Sequence, residues 1–161
     1  MCTGSGAIIA SVVDELPGVR AYAVELDPAA HAWAERNLAG TGVDLRRGDM
    51  AEAFADLDGQ VEVVVSNPPY IPVGAAIRDP EVATHDPALA LWSGQDGLDA
   101  LRVVAAVAVR LLRPGGLVVV EHADVQGETA PAVLAATAGL IDVADHPDLA
   151  GRDRYATARR T

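Results

Sequence analysis

The sequence has one cysteine, two tryptophans, three tyrosines, one phenylalanine and no lysine among its 161 residues. The lone Cys2 excludes an internal disulfide, and no Cys/His spacing matches zinc ligation, so no metal is expected. With aromatics scarce and half the residues hydrophobic, the core must be aliphatic, built from Val, Leu, Ile and Ala. Positive charge is short as well: the net charge is −11 and the pI near 4.6. Such a surface repels a phosphate backbone and disfavours direct nucleic-acid binding. No apolar run is long enough to span a bilayer. The apolar stretch Ala7–Val13 lacks a basic n-region and a cleavage site, so no secretory leader and no membrane association are expected. The expected location is the cytoplasm. The length suits one domain, residues 1–161, with a real core.

What is present is an alternation of strands and helices. Met1-Cys2-Thr3-Gly4-Ser5-Gly6-Ala7 reads as a glycine-rich turn opening a helix from Ala7 to about Leu16, with no strand before it. A strand follows over Val19–Glu25. Asp27-Pro28 then supplies an N-cap with proline at the first helical position, and that helix runs to about Ala39 and stops at Gly40. Val43–Arg47 is a short strand ending at Gly48-Asp49, and Met50–Leu57 a helical turn. The β-branched run Val61–Val65 reads as a buried strand. Pro72–Gly97 is a long connection carrying Pro80, Pro87, His85 and Trp92, a length that usually marks a lid or binding loop. Leu98–Arg113 carries apolar residues at Leu98, Leu101, Ala105, Ala108, Val109 and Leu112, one face of a helix. Pro114-Gly115-Gly116 ends it before a buried strand at Leu117–Glu121. Gln126–Ala138 is expected to be helical with Pro131 in its first turns, and Ile141–Ala144 and Tyr155–Arg159 to be strands. The alternation predicts a parallel α/β sheet covered on both faces, with an antiparallel tail.

The strand at Val61 ends in Ser66-Asn67-Pro68-Pro69-Tyr70-Ile71-Pro72, where two prolines supply no backbone N–H and cannot continue a sheet. Asn67 offers a side-chain carbonyl, and Pro68 a backbone carbonyl with no competing donor. Two acceptors suit the two N–H bonds of a planar amide or exocyclic amine, and the Tyr70 ring can lie on its flat face. An amide nitrogen is a poor nucleophile, so aligning it and stabilising the positive charge that develops would be the catalytic contribution. The bland alternative is a strand leaving through a proline-rich turn with a packing tyrosine.

Gly4-x-Gly6 is a fragment of a nucleotide signature. Glu25 lies about twenty residues on at a strand end, where an acid accepts ribose hydroxyls, and Asp49 ends the next strand, where it can accept an adenine N–H. A dinucleotide-binding dehydrogenase wants a third glycine where this chain has Ile9, which argues against a bound pyrophosphate. A sulfonium nucleoside has no phosphate to cradle, so two glycines suffice for close backbone approach. An ordinary turn with scattered surface acids is the competing reading. The four histidines are expected to be structural or superficial, as transfer to an amide held by carbonyls needs no strong base. Cys2 and Trp33 are read as packing residues, Trp92 as a packing or substrate-covering one. Asp14-Glu15 and the Glu52–Asp58 acids are read as a solvated face.

Taken together, Cys2-Thr3-Gly4-Ser5-Gly6-Ala7, Glu25, Gly48-Asp49, Ser66 through Pro72, Asp86-Pro87, Gly94 through Gly97, Arg113 through Gly116 and Glu121-His122 resemble the bacterial protein-(glutamine-N5) methyltransferases of the PrmC/HemK type. Those proteins methylate the glutamine of the Gly-Gly-Gln loop of class 1 peptide-chain release factors with S-adenosylmethionine. The resemblance implies a class I S-adenosylmethionine-dependent methyltransferase fold, a Rossmann-like α/β sheet that is mostly parallel with an antiparallel C-terminal strand. It implies that Cys2, Thr3, Gly4, Ser5 and Gly6 lie beneath the cofactor, that Glu25 holds its ribose, and that Asp49 and Met50 lie near its adenine. Some members carry a Trp where this chain has Met50. Asn67, Pro68, Pro69 and Tyr70 would form the glutamine slot, with Asn67 also near the cofactor and Asn67, Pro68 and Tyr70 serving catalysis. Members carry an N-terminal helical docking domain and a first, central strand before the glycines. Met1 stands where that strand's last apolar residue is expected, so a catalytic domain lacking its first strand is implied. The partner implied is a release factor, met by a monomer. Two rivals remain: an amino-methyltransferase acting on adenine or guanine in DNA or RNA, and a non-catalytic remnant.

Overall fold

A computed structural model describes residues 1–77 and 80–161. The chain forms two compact units, Met1–Asp56 and Leu57–Thr161. The first holds α1 (Ala7–Glu15), β1 (Tyr22–Glu25), α2 (Pro28–Asn37) and β2 (Asp44–Arg47). β1 and β2 pair in parallel from Tyr22 opposite Asp44 to Glu25 opposite Arg47. The N-cap expected at Asp27 is present: its carboxylate accepts the N–H groups of Ala29 at 2.9 Å and Ala30 at 2.8 Å. Two donors that a helix start leaves unpaired are thereby satisfied.

The first unit has few buried apolar residues: Ala21, Ala23, Val24, Ala34, Leu38 and Phe54. Phe54 has a left-handed backbone, φ 61°. Its ring is held edge-on by Tyr22 at 6.1 Å and covered by the Arg46 guanidinium at 4.8 Å. Arg46 in turn bridges Asp44 at 2.8 Å and Asp56 at 2.6 Å, and its hydrogen bond is the main cause holding the Asp56 carboxyl below the usual range. Thus one member of the supposed solvated acid run is tied down. Trp33 departs from its expected packing role. It is 58% exposed, with the Arg36 guanidinium lying over its ring at 5.1 Å. Helix α1 is apolar in sequence, yet none of its residues is buried.

The second unit holds β3 (Val61–Ser66), α3 (Pro80–His85), α4 (Ala88–Leu91), α5 (Asp99–Leu111), β4 (Leu112–Glu121), α6 (Thr129–Ala136), β5 (Leu140–Pro147) and β6 (Asp153–Arg160). Its sheet runs β3-β4-β6-β5. β3 and β4 are parallel, while β6 is antiparallel to both β4 and β5, giving the expected antiparallel end. The core is dense and aliphatic, with Leu101, Val104, Leu112, Val118, Val120 and Leu134 each at most 2% exposed.

Three expectations need correction here. The long connection after Pro72 contains the short helices α3 and α4, although Arg78 and Asp79 within it lie outside the described residues. Pro80 and Pro87 explain this, because proline is well placed at a helix start. Helix α5 does bury one face, but it is broader and displaced from the expected one: Val104, Val107 and Leu111 join Leu101, Ala105 and Ala108, while Val109 is half-buried. β3 is not buried throughout: Val64 and Ser66 on one face are, whereas Val63 on the other is 50% exposed. A continuous Val run does not reveal that only one of its two faces is covered. Among the described residues no helix is long and apolar enough to cross a membrane.

Candidate functional site

In the first unit the chain bends sharply over Cys2–Gly6. Cys2, Gly4 and Gly6 all have positive φ, at 52°, 57° and 87°. The Thr3 N–H donates to the Val24 carbonyl at 3.2 Å, which lays the bend against β1. A Cβ on Gly6 would press on Leu38 at 3.1 Å, so that glycine serves packing. A Cβ on Gly4 would meet nothing within 4 Å, so the bend is open there. Ser5 is exposed, and its carbonyl accepts from the Asn37 side chain at 2.8 Å.

Glu25, at the tip of β1, is only 9% exposed. One carboxylate oxygen accepts the Gly4 N–H at 2.8 Å and the other the Asp27 N–H at 2.9 Å. Two charge-assisted bonds from rigid backbone fix the group's orientation, and each oxygen retains acceptor capacity. The β2 exit is tied to the same place by the Gly48 N–H, which donates to the Glu25 carbonyl at 3.0 Å. Asp49 follows, exposed, with its carboxylate accepting the Ala51 N–H at 2.9 Å. Met50 is half-buried, and its sulfur lies 3.6 Å from the Cys2 Sγ. The fold therefore gathers Cys2, Thr3, Gly4, Glu25 and Met50, while the Asp49 carboxylate is engaged by its own turn.

In the second unit β3 delivers Asn67-Pro68-Pro69-Tyr70 at its carboxyl end. Asn67 is exposed, Pro68 is fully buried, and Pro69 and Tyr70 are half-buried. The chain beyond is anchored. Ile71 donates to the Leu91 carbonyl and accepts from the Ser93 N–H, both at 2.9 Å, and the Val73 N–H donates to Gly94 at 2.8 Å. Trp92 is half-buried and forms a parallel bridge with Ile71. The Glu121 carboxylate lies near enough to the Tyr70 phenol for its charge to act on it. Burial, then the charge of Glu121, push the phenol above its ordinary pKa. Burial likewise pushes the Glu121 carboxyl up, against the opposing pull of Arg154.

Two contributors escaped the sequence. Glu121 stood in the resemblance without a role, and Gln126 read as the start of a helix. Gln126 is instead 5% exposed and donates to the Tyr70 carbonyl at 3.1 Å. No local signal marks it, since its partner lies 56 residues away. His122 is fully buried. Its Nδ1 donates to the Ala123 carbonyl at 2.9 Å, because a carbonyl only accepts, and Nε2 meets Asp145 at 2.8 Å. That geometry pins the β4 exit to β5. His146 stacks on Tyr155 at 4.8 Å, and His31 lies 3.7 Å from Glu35.

Comparison with known proteins adds the following. No protein-family model matches the chain. The "Release factor glutamine methyltransferase" of Streptomyces coelicolor is 55% identical over 99% of the chain and 57% of its own length. The protein of the same name from Mycolicibacterium smegmatis is 44% identical over the same shares. A "4-amino-L-phenylalanine/4-methylamino-L-phenylalanine methyltransferase" of Streptomyces pristinaespiralis is 43% identical over 85% of the chain and 47% of its own length. The chain thus spans about half the length of the curated relatives it matches. Among solved structures, a methyltransferase from Pyrococcus furiosus covers 98% of the chain and 71% of its own, at TM-score 0.67 and 19% identity. The structure of TrmN from Thermus thermophilus covers 99% of the chain and 42% of its own, at TM-score 0.64 and 18% identity. The chain is a homologue of the release factor glutamine methyltransferases, and its fold is that of the class I S-adenosylmethionine-dependent methyltransferases.

Proposed function

We propose that residues 1–161 act as a catalytic domain that methylates the side-chain amide nitrogen of a protein glutamine, that of the Gly-Gly-Gln loop of peptide-chain release factors. The observation that carries this is the tip of β3. Asn67 stands exposed there beside the fixed, buried Pro68, and Tyr70 is held half-buried next to them. Two acceptor oxygens and a ring can orient an NH₂ group so that its lone pair, not its N–H bonds, meets the electrophile. As the nitrogen gains positive charge, the same oxygens stabilise it.

The methyl donor in this reading is S-adenosylmethionine, which supplies an electrophilic methyl on a sulfonium. The first unit fits it. Gly4 leaves room for close approach, and the fixed Glu25 carboxylate keeps acceptor capacity for two ribose hydroxyls. Cys2, Thr3, Ser5 and Gly6 would shape the bend beneath the cofactor, with Asp49 and Met50 toward its adenine. The partner would be a translation factor met in the cytoplasm by a monomer, with neither membrane nor nucleic acid bound directly. The shares of identity with the release factor enzymes support this substrate over adenine or guanine.

A second reading has a specific support, the relative named for 4-amino-L-phenylalanine. An arylamine is also a flat NH₂ group, and the same slot would grip it. Incubating the chain with labelled cofactor and release factor, 4-aminophenylalanine or nucleic acid separates the readings. Label in the release factor alone is expected, and label only in the arylamine or only in nucleic acid overturns the proposal. Asn67→Ala is expected to abolish transfer while leaving the melting temperature near that of the parent, since the residue is exposed.

A further inference from the structure

Gln126 ends the turn Asp124–Gln126 that follows β4, and its side-chain amide bonds in two directions. Oε1 accepts the Ala123 N–H at 2.9 Å. Nε2 faces three backbone carbonyls: Tyr70 at 3.1 Å, Gly97 at 3.4 Å and Asp96 at 3.5 Å. An N–H only donates and a carbonyl only accepts, so the amide cannot be turned over without setting donor against donor. The Oε1 bond caps the turn, a task that Glu and Gln perform alike at this spacing. The Nε2 bonds have no part in that cap. They tie the turn to segments 29 and 56 residues away in the chain.

The nearest of those carbonyls belongs to the Tyr70–Ile71 peptide. The same peptide is gripped from its other side, where the Ile71 N–H donates to the Leu91 carbonyl at 2.9 Å. A planar peptide bonded at both its C=O and its N–H is held in one orientation. No slack surrounds it. A Cβ on Gly97 would stand 2.4 Å from the Tyr70 carbonyl oxygen, 2.8 Å from the Gln126 Nε2 and 3.0 Å from the Pro72 Cδ. Before the slot, Ser66 pairs with Val120 in the β3–β4 ladder. Asn67, Pro68, Pro69 and Tyr70 are therefore strung between two fixed points, with φ set by the ring at both prolines. Releasing the Tyr70 end lets rotation about ψ at Pro69 and Pro68 carry the tyrosine and the Pro68 carbonyl out of place.

We infer that Gln126 is a positioning residue: by holding the Tyr70–Ile71 peptide it sets where Tyr70 and the Pro68 carbonyl stand toward the flat nitrogen-bearing group in the slot. The inference rests on the function proposed above and deepens it. Gln126 acts through the backbone of Tyr70 and not on the substrate.

The test compares the full chain with Gln126→Ala and Gln126→Glu. Gln126→Ala removes both bonds. Gln126→Glu keeps the acceptor for Ala123, while its carboxyl can donate to the Tyr70 carbonyl only when protonated and repels it when ionised. Methyl transfer to a release factor is measured with kcat and KM separated, below the melting temperature of each chain. Tyr70–Ile71 is the one Tyr–Ile step in the sequence. Carbonyl-¹³C tyrosine combined with ¹⁵N isoleucine therefore gives a single NMR correlation, that of the clamped peptide.

In Gln126→Ala, kcat is expected to fall about tenfold, with KM for the release factor changing less. The Tyr70 carbonyl ¹³C signal should move upfield as its hydrogen bond is lost. In Gln126→Glu, kcat relative to the parent should fall as rising pH ionises the introduced carboxyl. Glu121, His122 and Asp124 beside the turn, Asp96 and Tyr70 across from it, and Asp153 and Arg154 on β6 are the same in both chains, so the ratio isolates that carboxyl. Parental kcat in Gln126→Ala, an unmoved carbonyl signal, or a Gln126→Glu chain at parental kcat at every pH assigns Gln126 to the cap alone and overturns the inference. Failure of both variants to fold overturns it too, since Gln126 would then support the fold as a whole. If the parent chain itself transfers no methyl, the functional proposal falls, and the Tyr70–Ile71 signal still decides whether Gln126 holds that peptide.

Discussion

The two units solve opposite problems. In Leu57–Thr161 a four-stranded sheet backed by α5 and α6 encloses side chains such as Val104, Val118 and Leu134 at 0% exposure. In Met1–Asp56 the sheet has two strands of four residues each, and α1 buries none of its apolar side chains. Order in the first unit comes instead from polar devices acting on the backbone: the Glu25 carboxylate on two amides, the Asp27 cap, and Arg46 between two aspartates. Burial is cooperative and costly to breach, whereas a hydrogen-bonded bend can hold one group in one orientation with little core behind it. Burial is thus concentrated in one unit, while all the proposed cofactor residues but Asn67 occupy the other.

The sharpest way to break that contrast is to truncate matched residues on the two sides. Leu134→Ala should destabilise by about 2–5 kcal/mol, because it empties a fully buried position. Ile8→Ala, at a residue 46% exposed, should stay within about 0.5 kcal/mol. Chemical denaturation of both variants checks this, and equal losses would erase the distinction drawn here.

A smaller effect, on binding, is expected at Glu25. Glu25→Gln keeps one acceptor oxygen but turns an NH₂ toward either the Gly4 or the Asp27 N–H, donor against donor. Losing one charge-assisted bond should weaken cofactor affinity by about 10- to 100-fold in calorimetry. Unaltered affinity would mean that the fixed carboxylate serves only the bend.

The smallest effect belongs to the rim of the second unit. The Arg102 guanidinium holds the Asp96 carboxyl down to about 2, helped by the Leu98 N–H. A carboxyl depressed on folding contributes stability that is present above its ordinary pKa and is lost as pH falls toward 2. Arg102→Ala should therefore lower the melting temperature slightly at neutral pH, with the gap to the parent closing near pH 2. Because both side chains are about half exposed, added salt should shrink the gap as well.

How far the sequence carries depends on the range of the interaction concerned. The Asp27-Pro28 helix start, the glycine bend and the halt of β3 at the double proline were all legible. Each is a constraint on φ or on a local hydrogen bond, written within four residues of where it acts. The antiparallel tail was legible too, from two strand signals separated by a hairpin-length turn. Within Pro72–Gly97 the reading failed, because the prolines that suggested a loop also start short helices.

What only the folded chain decided is who meets whom at a distance. That Cys2 touches Met50, that Val63 faces outward while Val64 faces in, and that Gln126 takes hold of the Tyr70 carbonyl have no counterpart in periodicity or spacing. Local constraints act in any conformation of the segment that bears them, so they can be read along the chain. Contacts between residues some fifty positions apart exist only once the sheet has set its register, and the polar groups involved look like ordinary surface residues until burial gives each of them a partner.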